Sequence, residues 1–143
     1  MSSRAPRPFL TAPAALEHTG ITYDTGALLA AEAGRRELWA IHARALLRGQ
    51  QPVVPAVVLG QAWRGGPQAE LSRLLRGCRI EDLDTARARA AGIACARSGT
   101  RDIVDTAVVA GALVRSDLVI TSDSDDLERI ATALGESLRC HRV

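Results

Sequence analysis

Leu118-Val119-Ile120-Thr121-Ser122-Asp123 is the stretch that decides the architecture. Consecutive aliphatic residues without polar alternation read as a strand buried on both faces, the kind found in parallel sheets covered by helices. Thr121 and Ser122 close the run, and Asp123 opens a segment, Ser124 to Ala133, with helical spacing and Gly135 as its stop. Upstream, Asp102 to Val114 is apolar and long enough for a helix. Helix, buried strand, acidic junction and helix again is the pattern of an α/β domain.

The same phrase occurs near the other end of the chain. Ile21-Thr22-Tyr23 is β-prone and ends at Asp24, and an Ala/Leu helix follows from Thr25 to Ala33, stopped at Gly34. Between the two phrases come a helix from Glu37 to Arg48, a short strand at Val53-Val54 and a helix opened by Pro55 and running to Trp63. Gly65-Gly66-Pro67 breaks the chain before a helix from Gln68 to Leu75, a strand from Cys78 to Leu83, and a helix capped by Asp84-Thr85 that reaches Ser98. Residues 138–142 supply a last strand. These elements predict a three-layer α/β domain over residues 20–143, with a mostly parallel central sheet flanked by helices. Residues 1–19 hold three of the six Pro and no periodicity, and read as a mobile N-terminal leader.

Composition removes several functions. All 18 basic residues are Arg; without Lys there is neither a Walker A phosphate loop nor Schiff-base chemistry. Aromatics at 3% leave a core of Ala, Leu, Val and Ile and no platform for stacking bases. Gly60, Gly65 and Gly66 do not form a dinucleotide fingerprint after a strand. Cys78, Cys95 and Cys140 lack the spacing of a zinc site or a disulfide framework, and read as buried, reduced thiols of a cytoplasmic protein. His18, His42 and His141 form no metal-binding pair. No run approaches the ~18–20 apolar residues of a membrane span. Residues 1–100 carry 13 Arg against 8 acids, and residues 101–143 carry 5 Arg against 8 acids, so a net +2 conceals a basic and an acidic region. That division suits an acidic pocket acting on a polyanion.

The acids carry the chemistry. Asp24 and Asp123 follow strands and Asp105 lies in the first turn of an apolar helix. Strand ends and helix starts share one edge of an open α/β sheet, so the three carboxylates converge there. Crowded carboxylates without Lys call for a cation, Mg²⁺ or Mn²⁺, and a metal site of this kind suits phosphodiester chemistry. Each acid also has a plainer reading: Asp24 and Asp123 as helix caps, Asp105 as a first-turn residue favoured by the helix dipole. Asp102 reads first as a cap and second as a neighbour on the face of Asp105, while Asp126 sits in a helix's first turn. Thr25 and Ser122 offer supporting hydroxyls, and Arg64, Arg97 and Arg101 are candidate contacts for a nucleic-acid backbone.

Taken in order, Tyr23-Asp24-Thr25-Gly26-Ala27-Leu28-Leu29-Ala30, Asp105-Thr106-Ala107-Val108-Val109-Ala110 and Ile120-Thr121-Ser122-Asp123 resemble the acidic motifs of PIN-domain ribonucleases, in particular VapC-type toxins of bacterial toxin–antitoxin pairs. Their spacing, about 80 residues and then 18, also fits. The resemblance spans residues 20–143. It implies a PIN-like fold, an Mg²⁺ or Mn²⁺ pocket built on Asp24, Asp105 and Asp123, endonucleolytic cleavage of RNA, a homodimer, and a small antitoxin that blocks the pocket. One position departs from the pattern. In Val53-Val54-Pro55-Ala56-Val57-Val58-Leu59-Gly60-Gln61-Ala62-Trp63-Arg64, Gln61 stands where the family usually places Glu. An amide offers an oxygen to a metal or water but cannot act as a base, which leaves Asp102, Glu32 or a metal-bound hydroxide to activate water. It also opens a rival reading, a non-catalytic PIN-like module that binds RNA or protein without cutting.

Overall fold

The computed structural model describes residues 19–143. The leader reading falls almost wholly on residues 1–18, outside that range. Five strands, β1 Ile21–Tyr23, β2 Val53–Pro55, β3 Arg79–Glu81, β4 Leu118–Thr121 and β5 Cys140–Arg142, form one sheet in the order β3-β2-β1-β4-β5. Every neighbouring pair is parallel, where the sequence predicts only a mostly parallel sheet. Seven helices connect them among the described residues: α1 Thr25–Glu32, α2 Arg36–Leu47, α3 Ala56–Ala62, α4 Ala69–Arg76, α5 Thr85–Ser98, α6 Ile103–Arg115 and α7 Asp125–Ala133. None is long and apolar enough to cross a membrane.

Parallel neighbours cannot be joined by a tight turn, so each connection crosses over and carries its helices onto a face of the sheet. Crossovers that run outward from β1 to β3, and then back from β3 to β4 and β5, carry the helices onto the two faces of the sheet. Most contacts follow that division: α1 packs on α2, α3 and α4, and α5, α6 and α7 pack on one another, while α3 also meets α6. Side chains along β1 alternate between the layers. The Tyr23 hydroxyl meets His42 Nδ1 on α2 at 2.9 Å, and Thr22 turns the other way to Arg115 at the end of α6.

With one Phe and one Tyr in the chain, the core is aliphatic. Leu28, Leu38, Val54, Leu71, Leu74, Val108, Val109 and Ile120 are fully buried. Ala27, Ala31 and Ala112 let the helices approach closely between them. Edge strand β3 exposes Arg79 and Ile80, and the charge on such an edge discourages pairing with another sheet. All three cysteines are free but half-buried, less enclosed than their sequence predicts. Helix α6 extends to Arg115 and stops on Ser116, whose φ of 59° is left-handed without glycine's freedom. The Asp117 N–H, bonded to Ala112 O at 2.9 Å, holds that turn.

The direction of crossover reverses between β1 and β4. At such a switch point the connections leave in opposite directions, and a crevice opens at the carboxyl ends of the two strands.

Candidate active site

Asp24 leaves β1 at that crevice, its N–H bonded to Ile120 O of β4 at 3.0 Å. It occupies the N-cap position of α1 but makes no side-chain capping bond, so its carboxylate is not spent on the helix. The residue is only 9% exposed. Its Oδ2 accepts the Thr121 hydroxyl at 2.9 Å, and that hydroxyl accepts the Asp123 N–H at 3.3 Å. Burial pushes the Asp24 carboxyl above its ordinary range; the Thr25 N–H and the Thr121 hydroxyl oppose the shift, and the charge of Asp102 adds to it.

Asp105 reaches the crevice from the first turn of α6. Asp102 does the capping there, accepting the N–H groups of Val104 at 3.1 Å and Asp105 at 3.0 Å. Asp105 is thereby free of the capping role that its position would otherwise suggest. Half-buried, its carboxyl is pushed up to about 7, first by desolvation and then by the charges of Asp102, Asp24 and Asp126. No Arg pairs with Asp24 or Asp105 among the described residues.

Asp123 is placed differently. It is exposed at the rim, where its Oδ1 accepts the Asp125 N–H at 3.1 Å and lies 3.4 Å from an Arg142 guanidinium nitrogen. Gln61, on α3, faces the crevice from the opposite side, and its Oε1 accepts the Thr25 hydroxyl at 2.5 Å. Asp24, Asp105, Asp123, Gln61, Thr25 and Ser122 all line one open pocket of about 250 Å³, with Asp126 and Leu29 at its margin. Its width is set by backbone: a Cβ on Gly26 would lie 2.6 Å from the Ser122 nitrogen, so the first turn of α1 packs directly on the loop after β4.

The remaining candidates stand elsewhere. Arg64 donates to Trp63 O at 2.8 Å, and Arg97 borders a shallow groove with Ile93 and Leu113. Arg101 is exposed in the turn before α6. Glu32 accepts Gln68 Nε2 at 2.7 Å and does not line the pocket. Asp126 alone of these stays at the pocket, where it pairs with Arg129 at 2.6 Å. Sequence reasoning missed Arg142, which reaches the site because parallel register sets its Cα opposite Thr121. Nothing local in Cys140-His141-Arg142 signals this. A larger cavity of about 440 Å³ lies against α2, lined by Ile21, Ile41, Leu118 and Ile120 with Glu37, Arg44 and His141 at its edge. Its mixed charges and apolar floor do not gather acids as the smaller pocket does.

Among the described residues, no three acidic, His or Cys side chains are grouped closely enough to hold one ion. The donor set nonetheless fits a hard cation. Mg²⁺ commonly takes one or two carboxylates and keeps several waters, and Asp24 with Asp105 provides two crowded carboxylates beside the neutral oxygens of Gln61, Thr121 and Ser122.

No protein-family profile matches the chain, and no curated protein matches its sequence. Solved structures do. The chain is similar to a chain of VapBC2 from Rickettsia felis, bound there to a DNA fragment from their promoter, with a TM-score of 0.65 and 13% identity over 86% of this chain and 98% of that one. A DNA-bound VapBC from Salmonella typhimurium gives 0.62 and 20% over 87% and 98%. A toxin–antitoxin complex from Klebsiella pneumoniae gives 0.56 and 18% over 75% and 89%. Identities this low establish the fold, and the three-layer PIN-like arrangement predicted from the sequence is the one these chains share.

Proposed function

We propose that the chain is a metal-dependent endoribonuclease, the toxin of a toxin–antitoxin pair, which hydrolyses RNA phosphodiester bonds at the Asp24–Asp105 pocket. One observation carries the reading. Two carboxylates at the switch point are held partly out of water, are both pushed towards protonation, Asp105 in part by the charge of Asp24, and have no protein cation against them. Buried acids kept in that condition are costly unless a cation or a proton neutralises them. The fold's likeness to chains of toxin–antitoxin complexes supports the biological role.

When bound, a divalent cation would supply positive charge for a phosphodiester and lower the pKa of a water. The protein's part is positional. Asp24 and Asp105 would hold the ion, with Asp123 of the same pocket as a third carboxylate. Thr121 fixes the Asp24 carboxylate by its 2.9 Å hydrogen bond, and Thr25 orients the Gln61 amide, which can donate its N–H to a phosphate oxygen or a water but takes no proton. An antitoxin would inhibit by covering the pocket's open mouth, and the protein would act as a homodimer in the cytoplasm.

A second reading keeps the fold and discards the cutting. Gln61 in place of a carboxylate and Asp123 turned to Arg142 both favour a module that binds RNA or protein without hydrolysis. Structured RNA incubated with the purified protein and Mg²⁺ or Mn²⁺, beside Asp24→Ala and an EDTA control, separates them. Cleavage that disappears in both controls establishes the nuclease; a folded protein that never cuts establishes the module.

A further inference from the structure

Arg142 is the positive group that the sheet itself brings to the pocket. Its Cα is in register with Thr121, the residue that holds Asp24, and the next residue locks the register through Val143 N–H to Thr121 O at 2.9 Å. The guanidinium leans over the rim to Asp123 Oδ1 at 3.4 Å, with side chains 59% and 64% exposed. A pair that long and that wet is weak, so a stronger anion displaces it easily. A phosphodiester is such an anion, and Arg is the side chain best shaped to take one.

Asp123 has one oxygen engaged twice, by Arg142 and by the Asp125 N–H. It lines the same pocket as Asp24 and Asp105, yet the three do not form a ligand set. The third acid thus lies at the pocket with one oxygen turned to a guanidinium of the side-chain type that takes phosphates.

We infer that Arg142 is a substrate-positioning residue that holds an RNA phosphate at the pocket's rim, and that in free protein it is parked on Asp123, so that RNA binding releases Asp123 towards the cation. The inference rests on the reading of the pocket as a cation-dependent phosphodiesterase site. It makes substrate and cation bind cooperatively, and by linkage each tightens the other by the same factor.

Direct contact between a bound cation and RNA would also give cooperativity, so the decisive measurement leaves RNA out. Mn²⁺ affinity is titrated for wild type, Asp24→Asn, Arg142→Gln and Asp123→Asn, each checked for folding by circular dichroism. Weakened binding in Asp24→Asn establishes the cation site. Arg142→Gln should then bind Mn²⁺ about two- to fivefold more tightly than wild type, the range an exposed ion pair covers. Adding Asp123→Asn to Arg142→Gln should remove that gain. In EDTA, a short fluorescent single-stranded RNA of mixed sequence should bind Arg142→Gln more weakly than wild type, with its salt dependence reduced by about one unit of slope. If Asp24→Asn binds Mn²⁺ as wild type does, the cation reading fails and the inference with it. If Asp24 matters but Arg142→Gln changes neither Mn²⁺ nor RNA affinity, the site stands and the role of Arg142 is refuted.

Discussion

Asp24 and Asp117 are equally hidden acids, 9% and 6% exposed, beside the same pair of central strands. Their company differs completely. Asp117, just before β4, accepts Arg115 Nε at 2.8 Å and the Thr22 hydroxyl at 2.8 Å. Arg115 also reaches Thr22 Oγ1 at 2.9 Å and Glu81 of β3 at 2.5 Å, closing a network across the sheet. Gly20 lies so close that a Cβ there would collide with Asp117 Oδ1. Asp24, at the far end of the strands, has the Thr121 hydroxyl and the Thr25 N–H against it and no Arg. One acid has its cation built in. The other has a pocket, and that contrast separates a carboxylate that holds the fold from one that is offered to solvent chemistry.

The contrast breaks most visibly in stability. Asp117→Ala leaves Arg115 Nε and the Thr22 hydroxyl without their acceptor, while Arg115 keeps Glu81, and should cost about 1–3 kcal/mol in urea unfolding, whatever the metal content. Asp24→Asn should do the opposite in metal-free protein at pH 8, raising the unfolding free energy by about 1 kcal/mol, because the amide keeps the Thr121 bond and removes a buried charge. Equal losses at both positions would show that the two acids do the same structural work.

The pH dependence sharpens the same point. Asp105, pushed up to about 7, keeps in the folded state a proton that the unfolded chain releases near 4. Its contribution to stability is therefore complete below about pH 4 and is lost as the pH rises through about 7. Melting of EDTA-treated protein should show a decline over that window that Asp105→Asn flattens, and added Mg²⁺ should raise Tm more at pH 8 than at pH 5.5. The smallest effect concerns Gln61. Gln61→Glu adds one charge at a pocket open to water and should tighten Mn²⁺ binding about fivefold, read by calorimetry, while Tm without metal stays level or falls slightly.

The layering of the fold was legible because buried parallel strands are written as uninterrupted apolar runs, as at Leu118-Val119-Ile120, and helix stops as glycines, as at Gly34 and Gly135. The meeting of Asp24 and Asp105 was legible for a related reason: topology alone carries strand ends and helix starts to one edge. What stayed hidden depends on register. Arg115 touches residues 34 and 93 positions away, and Arg142 touches Asp123 because β5 pairs with β4 at one offset and no other. Neither arrangement leaves a local pattern. The choice between helix cap and pocket acid was equally undecidable from spacing: Asp102 caps α6 and Asp24 caps nothing, although both precede a helix.

The contact of Gly26 with the backbone at Ser122 gives the pocket a gauge that owes nothing to its acids. The identity of the donors and the distance between their supports are thus inherited separately. A substitution at position 61 changes a donor at the pocket while the frame set by Gly26 keeps its dimensions.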